Sequence, residues 1–139
     1  MWLKMCRENH KFCRGVGNTK LELPARLLHV SSGPNWTPET PPETLKLIQS
    51  SQIDSKAGYL ALSHCWGPTA AMRFKLLASN IDACYESIDF TGLSQNMQDA
   101  VTTAVSLGFS YIWIDSLCII QRDDKGDEVG EMAEVWKKD

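Results

Sequence analysis

The sequence predicts an α/β protein, an open sheet organised around a parallel βαβ unit. Three stretches carry that prediction. Tyr111-Ile112-Trp113-Ile114 is β-branched and aromatic with no polar residue on either alternating face, the pattern of a strand covered on both sides. Tyr59-Leu60-Ala61-Leu62-Ser63 is a second strand-like run, followed by a turn at Gly67-Pro68. Between them Met97, Ala100, Val101, Ala104 and Val105 recur at helical spacing, with Ser94 or Asn96 as the cap and Gly108 as the stop. A strand, a helix and a second strand make a right-handed crossover, which excludes most all-α and all-β arrangements. On this reading Trp113→Ala removes a fully buried ring and costs about 3–5 kcal/mol.

The 139 residues suffice for one core but not comfortably for two. One domain is expected over 1–139, with an N-terminal appendage over 1–50 and the α/β core over 58–139. No window approaches the roughly 20 apolar residues of a membrane span, and residues 1–7 lack the apolar segment of a secretion signal. A soluble, cytoplasmic protein is expected. Five cysteines at irregular spacing point to free thiols in a reducing compartment rather than to a disulfide framework. The net charge of −3 gives no basic footprint, so neither nucleic acid nor an anionic membrane is expected as a partner.

Taken in order, residues 2–13 have helical spacing and place Cys6, His10 and Cys13 on one face. A straight helix separates its first and eighth residues by about 10.5 Å, too far for one zinc ion unless the helix ends near Arg14-Gly15. A fourth ligand would have to come from His29, His64 or Cys65. Small cysteines beside a histidine are the more economical reading, and no stoichiometric zinc is expected. Residues 24–30 read as a strand, and residues 31–42, with Gly-Pro and Pro-Pro pairs, as a loop. Residues 44–49 alternate as a strand that pairs antiparallel with 26–30, or form a short helix. Residues 69–91 are the least readable, apart from a helical turn or two near 80–85.

Both core strands release polar residues at their carboxyl ends, where open α/β sheets bind ligands. Ser63, His64, Cys65, Trp66 and Gly67 follow the first strand, and Asp115 and Ser116 follow the second. Two readings of Asp115 are open, a ligand-facing carboxylate or the cap of the next turn. His64 is likewise either functional or a hydrogen-bonded structural histidine, and it points away from its neighbour Cys65. Beyond a polar turn at 122–126, Val129, Met132, Ala133 and Trp136 form a second amphipathic helix. Glu128 lies beside that stripe, one turn before Met132. It either overhangs the sheet near Asp115 and Ser63 or simply favours the helix dipole in the first turn.

Three motifs, Leu23-Pro24-Ala25-Arg26-Leu27-Leu28, the run from Tyr59 through Ser63-His64-Cys65-Trp66-Gly67, and the run from Tyr111 through Asp115-Ser116-Leu117-Cys118-Ile119-Ile120-Gln121, resemble in wording and order the fungal heterokaryon incompatibility (HET) domain. Trp2, Cys6, His10 and Cys13, the Asp99-Ala100 pair and Met132 also look like that family. The resemblance implies a module of fungal self/non-self recognition that triggers programmed cell death through self-association or a protein partner. HET domains are in turn similar to Toll/interleukin receptor (TIR) domains, which implies a flavodoxin-like, TIR-like sheet. It also implies an alternative activity, cleavage of NAD as substrate (NAD nucleosidase) by a helix-borne glutamate, here Glu128. The family pattern Asp-Trp-x-x-Glu maps onto Asp124 to Glu128, with Lys125 in the tryptophan position. Family members run on past Trp136, so a C-terminal truncation of the sheet or its helices is expected.

Overall fold

A computed structural model describes residues 2–12, 22–65 and 74–121. Helix α1 spans Trp2–Asn9, and strands β1 and β2 span Arg26–Ser31 and Thr44–Gln49. The short β3, Leu60–Leu62, is followed by α2, Ile81–Glu86, and α3, Gln95–Ser106. Strand β4, Tyr111–Ile114, runs straight into the single turn α4, Asp115–Cys118. The four strands form one sheet in the order β2-β1-β4-β3.

β3 and β4 are parallel, with Leu60 beside Ile112 and Leu62 beside Ile114, as the two apolar runs predict. α3 lies between them in sequence, and Met97, Val101 and Ala104 are buried while Ala100 and Val105 are half-buried, which is the predicted stripe. Its start rests on the backbone, since Met97 and Gln98 both donate to the Ser94 carbonyl at 3.0 Å. Its end is a Schellman motif: Gly108 at φ 79° donates to Val105, and Phe109 donates to Ala104, both at 2.9 Å. Only glycine adopts that φ without strain.

Residues 44–49 form a strand, not the short helix, and pair with β1 in register from Arg26↔Gln49 to Ser31↔Thr44. The expected N-terminal appendage needs correction at this hairpin. β1 also pairs antiparallel with β4 through Leu28↔Ile112 and His29↔Tyr111, so the hairpin is half of the main sheet. The reason is packing. Leu28, Val30, Leu45, Leu47, Ile112 and Ile114 share one face and are buried against α2, α3 and α4 residues in a single cluster.

The expectation that β4 is covered on both sides is corrected too. Ile112 and Ile114 are buried, whereas Tyr111 and Trp113 are half-buried. On that second face Leu27 is buried, but His29 and Lys46 are also only half-buried. Aromatic bodies tolerate such half-wet positions, so the apolar run alone could not distinguish one covered face from two. The His29 and Tyr111 rings lie 5.6 Å apart at 43°. Burial, and then the neighbouring Lys46 ammonium, holds the His29 pKa below its ordinary 6.5. The fold therefore prefers the neutral ring, and the unfolded chain takes up the proton first. Stability from this residue is complete above 6.5 and declines as pH falls through 6.5 towards the lowered folded value. Urea midpoints measured at about pH 8 and about pH 5 should fall more in the wild type than in His29→Gln. Equal falls would show that His29 does not carry the difference.

α1 keeps Trp2 and Met5 exposed, and Phe12 beyond it is 92% exposed. No helix of the described residues is long and apolar enough to cross a membrane.

Candidate functional site

The parallel pairing of β3 and β4 brings the polar residues after each strand to the same end of the sheet. His64 and Asp115 meet there, with Nδ1 and Oδ1 3.8 Å apart. The two side chains are 9% and 19% exposed, so the encounter takes place largely out of water. Ser63 and Cys65, on either side of His64, are exposed.

Asp115 is the first residue of α4, whose N-cap is Ile114 with no side-chain cap bond, so the turn is not capped by the Asp115 side chain in the way the sequence reading allowed. Asp115 Oδ1 accepts the Ser116 amide at 2.7 Å, and the Asp115 carbonyl accepts Ile119 N at 3.0 Å. The same oxygen that receives the Ser116 amide is the one that faces His64. Ser116 is 0% exposed. Its carbonyl accepts Leu76 N at 2.8 Å, and Leu76 in turn accepts Gln121 N at 2.7 Å, which stitches the segment from Phe74 to Leu77 alongside the chain after β4. That stitching lies in the part of the chain that the sequence left open.

Two buried polar atoms at this end, His64 Nδ1 and Ser116 Oγ, have no hydrogen-bond partner among the described residues. A buried, unpaired hydroxyl costs about 1–3 kcal/mol. Ser116→Ala is accordingly expected to leave stability unchanged or raise it by up to about 1 kcal/mol. A clear fall in the urea midpoint would reveal a partner for the hydroxyl.

Sequence reasoning missed Arg26. Its Nε donates to the Cys118 carbonyl at 2.9 Å, tying the start of β1 to the end of α4. A charged residue opening an otherwise apolar strand was the available cue. Burial pushes the Cys118 thiol up to about 12, and Asp115 adds to the rise while Arg26 and the Ile114 and Leu28 amides oppose it. Cys118 is therefore a neutral core thiol, with Sγ accepting Ile114 N, rather than a nucleophile. Cys84, also buried, has its thiol raised by burial alone.

The remaining candidates divide by position. Trp66, Gly67 and Glu128 lie outside the described residues, as does the predicted helix that carries Glu128. Of the proposed zinc ligands, Cys6 Sγ and His10 Nδ1 are 3.2 Å apart at the exposed carboxyl end of α1, and Cys13 lies outside the described residues. His29 lies against the Tyr111 ring and His64 faces Asp115. Among the described residues no group of three or more His, Cys, Asp or Glu could hold a metal ion.

The fold is thus a mixed α/β domain with an open four-stranded sheet whose parallel strands place a carboxylate and an imidazole side by side. Residues 59–138, more than half the chain, match the family model described as heterokaryon incompatibility protein (HET). The chain belongs to that family. The matched stretch includes β3, α3 and β4 with His64 and Asp115. No curated protein and no solved structure matches the chain significantly.

Proposed function

We propose that the chain is a cytoplasmic signalling module of fungal self/non-self recognition, whose engagement leads to programmed cell death through self-association or a protein partner. The family match over residues 59–138 carries this reading. The net charge of −3 favours a protein partner over nucleic acid or an anionic membrane. The test is inducible expression of the 139-residue chain in a filamentous fungus, with viability followed after induction. Death on induction that is lost in a folding-defective variant such as Ile112→Ala supports the module. Unimpaired growth at full soluble expression removes it.

A second reading is favoured by one observation, the meeting of His64 and Asp115 at the carboxyl ends of two parallel strands. On this reading the domain is TIR-like and cleaves the nicotinamide–ribose bond of NAD, with Glu128 as the carboxylate that stabilises the oxocarbenium-like ribose. Ser63, His64, Cys65, Trp66, Gly67, Asp115 and Ser116 would line the site. Nicotinamide release from NAD, abolished in Glu128→Gln, is the expected result. Release unchanged in that variant removes Glu128 from the chemistry, and no release at all leaves the non-enzymatic module.

A further inference from the structure

The imidazole of His64 sits in an asymmetric environment. Nδ1 is shielded from water and has no hydrogen-bond partner among the described residues. What it faces is a carboxylate oxygen, Asp115 Oδ1, at 3.8 Å. That oxygen is held in place by the Ser116 amide at 2.7 Å. A neutral imidazole has one N–H and one bare lone pair, and its surroundings decide which nitrogen carries which. With the lone pair on Nδ1, it would confront the carboxylate in a shielded site, where repulsion is poorly screened. With the proton on Nδ1, the same juxtaposition is attractive. A movement of about 1 Å then closes it into a charge-assisted hydrogen bond.

We propose that Asp115 is a positioning residue that fixes His64 as the Nδ1–H tautomer, leaving Nε2 as the hydrogen-bond-accepting nitrogen at the carboxyl ends of β3 and β4. The ligand group this arrangement recognises is protic, a hydroxyl that donates to Nε2. The assignment goes beyond the family reading and holds whether or not the domain cleaves NAD.

Long-range proton–nitrogen correlation spectra of the ¹⁵N-labelled chain, taken well above the ordinary histidine pKa of about 6.5, read the tautomer directly. The chain has three histidines, and the signals lost in His64→Gln assign the ring. The expected pattern is a pyrrole-type Nδ1 and a pyridine-type Nε2, the reverse of the free amino acid's preference. In folded Asp115→Ala the two nitrogens should exchange character, a change that loss of packing alone would not produce. A pyridine-type Nδ1 in the wild type overturns the proposal, and so does a tautomer unchanged in folded Asp115→Ala. If Asp115→Ala does not fold, the wild-type spectrum still decides.

Discussion

Ile112→Ala should destabilise the protein by about 2–5 kcal/mol, a large share of the 5–15 kcal/mol of an ordinary domain. Ile112 is 1% exposed and stands at the centre of the sheet, with Leu28 of β1 on one side and Leu60 of β3 on the other. Both neighbours are themselves in or against the core, so the cavity left by alanine has no mobile wall to collapse into it. Trp113→Ala, for which a fully buried ring would mean about 3–5 kcal/mol, should cost less than Ile112→Ala, on the order of 1–2 kcal/mol, because the ring is only half-buried. Urea denaturation of the two variants side by side is the measurement. A larger loss in Trp113→Ala than in Ile112→Ala would show that the second face of the sheet is as tightly covered as the first.

The lowered cost at Trp113 shows which part of the fold was legible. The strand character of β4 and the helix α3 rest on local information: a β-branched and aromatic run, a stripe at helical spacing, and a glycine where φ must be positive. The parallel pairing of β3 with β4 followed from the helix between them, and with it the nearness of His64 to Asp115. How many faces of the sheet are covered is a different kind of fact. It depends on what the rest of the chain lays over Tyr111 and Trp113, and a strand's own residues do not encode it.

The same limit hid the position of β1. Its antiparallel match with β2 was readable because the two strands are close in sequence, whereas its match with β4 spans about eighty residues and leaves no periodic trace. Arg26 illustrates the consequence. Read within β1 it is a charge at the start of an apolar strand, and only the placement of β1 beside β4 gives it the Cys118 carbonyl to hold. Asp115 was readable to the point of two alternatives. The structure places it as the first residue of α4 rather than as its cap, with Oδ1 accepting the adjacent Ser116 amide and the same carboxylate facing His64.

The family match begins at residue 59, after the β1–β2 hairpin, so a shortened chain of residues 55–139 contains all of it. That shortened chain is expected not to fold. It loses two of the four strands, including β1, the partner of both β2 and β4. Leu28 and Val30 would no longer cover Ile112 and the helices, the Cys118 carbonyl would lose the Arg26 guanidinium, and Ile88 N would lose the Leu45 carbonyl it reaches at 2.8 Å. What remains of the described sheet is β3 and β4, joined over three residue pairs, and two short strands seldom hold together without further cover. The full chain should show one cooperative urea transition with a protected β4, whereas residues 55–139 should be insoluble or show no cooperative transition. A soluble, cooperatively unfolding 55–139 fragment would show that the hairpin is dispensable, and that the unit matched by the family is a domain in its own right.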